Sequence, residues 1–350
     1  MGAQINKHVG VDAADVVLID PSGDTKGFNT GLGYLSGSLI QKGYRVKVFD
    51  FNNNKNNIQA RINAIERLDA KYIGFSIKTF TLDSAIEISN SIKKEKKVFI
   101  AGGPHITLDP TAFLENNTKF DFGVIFEGEK TLLDLVEGKD FKNIENVAWR
   151  QEKSIIVNQK QKYIDNFIRD LDALPFPNYD FFDSLPENRV IYDYPLITSR
   201  GCPYPCVYCS VGTVIGKIWR ARSPKNIVEE LFYAKEKYKS SKFSILDDNF
   251  TLGMARAKEI CQKIIDEKLN MDWSCPNGVR ADRLDEELLG LMKDAGCTSI
   301  NIGIESLVPD VFDKINKKEK IDQIVNVIEI AKRKKIKING FFIRITWKFI

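Results

Sequence analysis

No cysteine occurs before position 202 in this 350-residue chain, and there are only six in all. A disulfide framework needs paired cysteines spread along a small secreted chain, so that class is excluded and a reducing compartment is expected. No apolar run approaches twenty residues, and no basic stretch followed by an apolar one opens the chain. Neither a membrane span nor a secretory leader is expected, and the chain reads as cytoplasmic. Charge of one sign is also lacking, since 51 basic and 47 acidic side chains leave only +4. That balance gives no reason to expect a nucleic acid or a membrane surface as partner. The Lys-rich stretches at 93–97 and 332–335 sit at expected helix ends, where they favour the negative end of the dipole and stay solvated. Hydrophobic content of 43% and charged content of 28% are ordinary for a globular protein long enough for two domains.

Half of the cysteines lie together. Cys202, Cys206 and Cys209 fall in the run Arg200-Gly-Cys-Pro-Tyr-Pro-Cys-Val-Tyr-Cys-Ser210. Thiolates spaced C-x3-C-x2-C can converge on one soft metal centre. A closed zinc site wants four ligands, as does a fully protein-ligated cubane, and only three are local. The favoured reading is a four-iron cluster with one iron left open. A zinc knuckle completed by Cys261, Cys275 or Cys297, or a chance group of core cysteines, are the alternatives.

The spacing, with the aromatic Tyr208 immediately before the third cysteine, resembles the signature of the radical S-adenosylmethionine (SAM) enzymes. The resemblance implies a 4Fe–4S cluster whose open iron chelates SAM, and reductive cleavage of SAM to methionine and a 5′-deoxyadenosyl radical. It further implies a small-molecule substrate, an electron donor such as flavodoxin or ferredoxin, and, because an open cluster is oxygen-sensitive, an anaerobic or microaerobic host.

Strand-like and helix-like segments alternate through the N-terminal third. Strands are expected at 16–20, 45–49, 72–76, 98–101 and 122–126, and helices at 31–42, 82–94 and 131–136, with an Asn-rich loop at 52–57. Such alternation implies a doubly wound, Rossmann-like parallel sheet binding ligands at the carboxyl ends of its strands. Gly102-Gly-Pro-His105 follows the fourth strand and Glu127-Gly-Glu129 the fifth. That arrangement resembles the cobalamin-binding domain preceding one large class of radical SAM enzymes. The resemblance implies that Gly102 and Gly103 let the backbone approach the corrin's nucleotide tail. The plain alternative is a turn at the two glycines, a loop position for His105, and helix capping by Glu127 and Glu129. The chain departs from the better-known pattern in having no Asp-x-His-x-x-Gly motif, and neither His8 nor His105 sits in that context.

Residues 146–164 read as a small hairpin, and Pro175 and Pro177 forbid regular helix or central strand in the segment after it. The expected organisation is a cobalamin-binding-like domain at 1–140, a hairpin and Pro-rich linker at 141–190, and a radical SAM domain at 191–350. In the last, strands are expected at 195–199, 242–246, 271–275, 299–303 and 337–343, with helices at 224–238, 255–268, 284–295 and 321–333. This is most of a partial (β/α)6 TIM-like barrel, with polar residues gathered at the strand ends. Asp247, Asp248 and Glu305 suit the ammonium and ribose hydroxyls of SAM, and Arg280 suits its carboxylate through a bidentate fork. By resemblance, 246–249 occupies the place of the family's glycine-rich amino-binding motif without its glycines. Glu305 matches a fourth-strand position near the SAM ribose or amino group, and Tyr208 is expected near the adenine. Helix capping or loop solvation is the plain alternative for each carboxylate.

The apolar, alternating end at 339–350 replaces the loop, helix and sixth strand that the resemblance implies, so a truncated or frameshifted form of a longer enzyme is expected. Cobalamin-dependent methylation of an unactivated carbon is the leading activity. Alternatives are a ring-forming cyclase of the same class and a non-catalytic remnant that binds cluster or corrinoid. A transfer-RNA methylthiotransferase would carry a second cysteine triplet in its N-terminal domain, and this chain has none there.

Overall fold

The computed structural model describes residues 13–23, 27–54, 57–159 and 163–343. Two compact units emerge, Met1–Ile168 with Leu174–Leu185 and Arg169–Ala173 with Pro186–Ile350. Among the described residues no helix is long and apolar enough to cross a membrane.

The first unit opens with β1 (Val16–Asp20), α1 (Thr30–Gln41), β2 (Val46–Asp50), α2 (Ile58–Arg67), β3 (Tyr72–Ser76) and α3 (Leu82–Ser91). It continues with β4 (Val98–Gly102), α4 (Pro104–Leu108), α5 (Pro110–Asn116), β5 (Phe122–Val124) and α6 (Gly128–Val136), then β6 (Val147–Gln151) and β7 (Ser154–Asn158). Its sheet runs β2-β1-β3-β4-β5-β6-β7, parallel as far as β5 and antiparallel beyond. All five residues of β1 are buried, as a parallel strand covered on both faces requires. Phe75, Phe99, Phe113 and Phe120 pack mostly edge to face beneath the sheet.

Three features of this unit differ from the sequence reading. The hairpin at 147–158 extends the sheet, with Phe122 of β5 opposite Trp149 of β6. Helix α2 went unread because its buried face includes Arg61 beside Ile62 and Ile65. The guanidinium pairs with Asp183 at 2.6 Å and lies 4.0 Å from the Phe51 ring centroid, so a charged residue interrupts the apolar pattern. His105 belongs to a short helix, because Pro104 and Pro110 each open a helical turn where their missing N–H costs nothing.

The second unit begins with β8 (Asp193–Leu196), β9 (Ser199–Arg200), α7 (Val211–Val214), β10 (Arg220–Ala221), α8 (Pro224–Lys237), β11 (Lys242–Ile245) and α9 (Met254–Asp266). There follow β12 (Asp272–Val279), α10 (Glu286–Asp294), β13 (Cys297–Glu305), α11 (Pro309–Lys314), α12 (Ile321–Arg333) and β14 (Lys337–Phe342). Strands β14-β13-β12-β11-β8 form one parallel sheet, and β9 pairs antiparallel with β10 beside the cysteine loop. Neighbours in space are neighbours in sequence, each crossover carrying a helix, as in a partial barrel. Among the described residues the sheet stays open and five-stranded. Strand β12 runs past the expected end at 275, with register shifts along its pairing with β13, and continues to Val279. Trp273 anchors the core, stacked on Phe243 at 5.7 Å and donating its indole N–H to Ala295 O. Behind β8 a buried pair, Arg222 and Glu230, is completed by the Tyr194 hydroxyl, which donates to Glu230 at 2.8 Å.

Candidate functional site

The parallel strands of the second unit all end on the side that carries the cysteine loop. Leaving β9, the chain turns at Gly201, whose φ of +85° only glycine adopts at little cost. Cys202 N–H donates to Gly216 O at 3.1 Å, Val207 N–H to Ile315 O at 3.2 Å, and Cys209 N–H to Cys206 O at 3.1 Å. Cys202 and Cys206 are half-buried and Cys209 is exposed.

The strand-end residues singled out in the sequence meet this loop. Asp248, after β11, accepts Gly201 N–H at 3.2 Å. Arg280, after β12, lies 3.5 Å from the Tyr204 ring centroid, and Arg283 donates to the Tyr204 hydroxyl at 2.8 Å. Glu305, the last residue of β13, accepts the Tyr208 hydroxyl at 2.9 Å. Its φ of +61° is strained for a side-chain-bearing residue. Asp247 engages the residues that lead into the loop. It is buried and accepts from Thr198 N–H, the Thr198 hydroxyl and the Ser199 hydroxyl at 2.5–2.6 Å, a bracing role between β11 and the start of the loop. Arg280 is also heavily engaged: its guanidinium donates to both Asp282 oxygens and to the carbonyls of Lys317 and Lys318.

Two polar residues here escaped the sequence reading. Lys317 is 4% exposed, 2.7 Å from Glu319 and 3.7 Å from Glu305, and donates to Gly303 O. In sequence it belongs to the run Asn316-Lys-Lys-Glu-Lys320, which reads as solvated surface. Asn249 is 1% exposed and donates its Nδ2–H to Cys202 Sγ at 3.6 Å, while its Oδ1 is buried without a partner.

Burial raises the thiol pKa of Cys206 and Cys209, and the charge of neighbouring cysteines adds to it. Arg280 and Lys317 oppose the rise at Cys206, and Val211 N–H opposes it at Cys209. Such thiols sit close enough to feel one another and become thiolates when metal binds. Among the described residues no three His, Cys, Asp or Glu side chains gather to hold a single metal ion. A tetrahedral zinc site needs a fourth protein ligand; a cubane with one open iron needs only three, so the three loop thiols fit the cluster. Cys261, Cys275 and Cys297 are buried to 1% exposure or less, and burial drives their thiols well above the ordinary value. They behave as small core residues.

In the first unit the strand order reverses between β1 and β3, which opens a crevice at their carboxyl ends. Asn29, the N-cap of α1, accepts Leu32 N–H and donates to Asp20 at 2.9 Å and to Ser76 at 3.2 Å. Gly102 and Gly103 lie at the end of neighbouring β4. Gly103 has a φ of +99°, and a Cβ there would stand 2.7 Å from Ile77 O, so close chain packing already demands glycine. His105 Nδ1 is 3.2 Å from the Thr79 hydroxyl. His8 lies outside the described residues. Glu127 accepts Ile168 N–H at 2.6 Å at the start of α6, and Glu129 is buried in its first turn. The crevice thus offers amide, hydroxyl and backbone groups, which fit the amide-rich edge of a corrin.

Asp20 is 1% exposed, and burial raises its carboxyl to about 6, with Lys78 and the Asn29 amide opposing. A carboxyl raised in the folded state favours folding below its unfolded pKa, and that contribution is lost as pH rises through about 6. Asp20→Asn is therefore expected to stabilise the protein by about 1–3 kcal/mol above about pH 7, the gain shrinking toward about pH 4. Denaturant midpoints across that range check it, and an equal gain at every pH would contradict it.

Profiles for two families match the chain: the radical SAM superfamily over residues 196–346 and the B12 binding domain over residues 17–136. The chain is a radical SAM protein with a B12-binding domain. Its cofactors are a 4Fe–4S cluster, S-adenosylmethionine and cobalamin. Sequence relatives of this radical SAM protein include an uncharacterized methyltransferase of Pyrococcus horikoshii, 29% identical over 91% of the chain and 70% of its own length. The cytidylyl-2-hydroxyethylphosphonate methyltransferase of Streptomyces wedmorensis is 25% identical over 89% of the chain and 68% of its own. The anaerobic magnesium-protoporphyrin IX monomethyl ester cyclase of Rubrivivax gelatinosus is 24% identical over 85% of the chain and 55% of its own. In fold, the chain matches the radical SAM methyltransferase TsrM of Kitasatospora setae, with a TM-score of 0.78, 17% identity and coverage of 93% of this chain and 66% of that one. It also matches the cobalamin-dependent enzyme OxsB, at TM-score 0.75 and 19% identity, covering 94% of this chain and 49% of OxsB.

Proposed function

We propose that this protein is a cobalamin-dependent radical SAM methyltransferase acting on an unactivated carbon of a small molecule. The observation that carries the reading is the cysteine loop, tied at Gly201, Tyr204 and Tyr208 to the ends of three successive parallel strands. Cys202, Cys206 and Cys209 are assigned as ligands of three irons. When bound, the cluster supplies one electron for SAM cleavage, and cobalamin supplies a carrier for a methyl group. Asp248 and Glu305 would accept from the SAM ammonium or ribose. Tyr208 would wall the adenine side while its hydroxyl holds Glu305. Arg280, with most of its donors engaged, would contribute positive potential toward the carboxylate rather than a free fork. Gly102 and Gly103 are assigned to the corrin's nucleotide tail. A flavodoxin or ferredoxin would supply the electron, in the cytoplasm.

The Pyrococcus and Streptomyces relatives are methyltransferases and the Rubrivivax relative is a cyclase, so methyl transfer is the discriminating readout. The chain, reconstituted with iron, sulfide and cobalamin, would be reduced and given SAM bearing a deuterated methyl group. Label on the extracted corrinoid is expected. Unlabelled corrinoid from a chain carrying both cofactors would favour ring-forming chemistry instead.

A further inference from the structure

The cysteine loop leaves one sulfur contact that no other role explains. Asn249 ends the acidic run Asp247-Asp248-Asn249 after β11, and unlike its two neighbours it is neutral. Its backbone carbonyl is fixed by the Trp219 indole N–H at 3.2 Å. Its side chain, almost fully buried, reaches Cys202 Sγ with Nδ2 at 3.6 Å. No protein group holds Oδ1. Nothing therefore ties the amide in the opposite orientation, and a thiolate at Cys202 would repel Oδ1 while attracting the N–H.

Cys209 also has an N–H donor, from the backbone of Val211. That one is indifferent to residue type. Asn249 alone delivers a side-chain N–H to a loop sulfur among the hydrogen bonds of the described residues.

We propose that Asn249 sets the reduction potential of the iron–sulfur cluster by donating a hydrogen bond to the Cys202 thiolate. The inference rests on the assignment of Cys202 as an iron ligand. Reduction adds one electron and so one negative charge to the cluster and its sulfurs. An N–H aimed at a ligating sulfur stabilises the more negative state and makes reduction easier. A carboxylate at 249 would do the reverse twice over, removing the donor and placing a negative charge beside the Cys202 sulfur. Asn249 is in this sense a positioning and tuning residue, acting through Cys202.

The test is an EPR-monitored redox titration of the full chain, anaerobically reconstituted, without SAM, with mediated dithionite as the one-electron source. Wild type is compared with Asn249→Leu, which keeps the shape and loses the donor, and with Asn249→Asp. Asn277→Leu, which loses an amide that donates to Leu246 O rather than to sulfur, is the control. Iron and sulfide content per chain are measured on each. The expected result is full iron in every chain and an unshifted midpoint for Asn277→Leu. Reduction of Asn249→Leu should be about tenfold less favourable, a midpoint about 59 mV lower. Asn249→Asp should lie lower still. Should leucine strip the iron, the aspartate variant decides alone. Loaded Asn249 variants with the wild-type midpoint overturn the tuning while leaving the cysteine assignment intact. A wild-type chain that takes up no iron overturns both.

Discussion

Replacing Cys202, Cys206 and Cys209 together with alanine is expected to remove iron from the reconstituted chain completely while leaving the fold in place. The loop is held by groups other than its thiols: Cys202 and Val207 N–H, the Gly201 N–H on Asp248, and the Tyr208 hydroxyl on Glu305. Half-buried and exposed thiols contribute little packing, so the thermal midpoint of the metal-free protein should stay close to wild type. Iron and acid-labile sulfide per chain, with the visible charge-transfer absorbance, measure the loss. Iron retained by the triple variant would mean that Cys261, Cys275 and Cys297 bind it, against their burial in the core.

Gly201→Ala should have nearly as large an effect without touching a ligand. At φ +85° an L side chain costs about 1–2 kcal/mol. A Cβ at this position would also stand 2.4 Å from Ile218 O and 3.0 Å from Gly216 O, both backbone atoms that cannot swing away. The Cys202 N–H bond to Gly216 O lies directly beside that clash. Each 1.4 kcal/mol is about tenfold in population, so the native path of the loop should be at least about tenfold less populated. Cluster occupancy at limiting iron should fall accordingly. Gly212→Ala is the matched control, since the nearest atoms to a Cβ there belong to the flexible Lys217 side chain, at 3.3 Å. Equal occupancy in Gly201→Ala and Gly212→Ala would contradict the account of how the loop is held.

The fold was legible wherever one physical signal dominated. Val16–Asp20 and Tyr72–Ser76 are short, largely apolar runs, and both are interior parallel strands. The cysteine spacing was legible because few chemistries use it. Missed features depend on partners distant in sequence. Arg61 looks like a solvated charge until Asp183, 122 residues away, is placed beside it. Lys317 looks like surface until Glu305 and Glu319 enclose it. Asn249 lay within a run already singled out, yet its charged neighbours carried the stronger signal; the neutral residue is the one that reaches sulfur. Asp247, selected for its charge, proves to brace Thr198 and Ser199. Residue type suggested the chemistry, and only tertiary placement shows which carboxylate is engaged by neighbouring backbone and hydroxyl groups.

Release of 5′-deoxyadenosine tests the central claim most directly. The chain would be reconstituted anaerobically with iron, sulfide and cobalamin, then given SAM and a strong reductant beside the triple alanine variant. The account predicts 5′-deoxyadenosine from the wild type and none from the variant. A wild-type chain that holds a full cluster and corrin, binds SAM, and still releases no 5′-deoxyadenosine would contradict it.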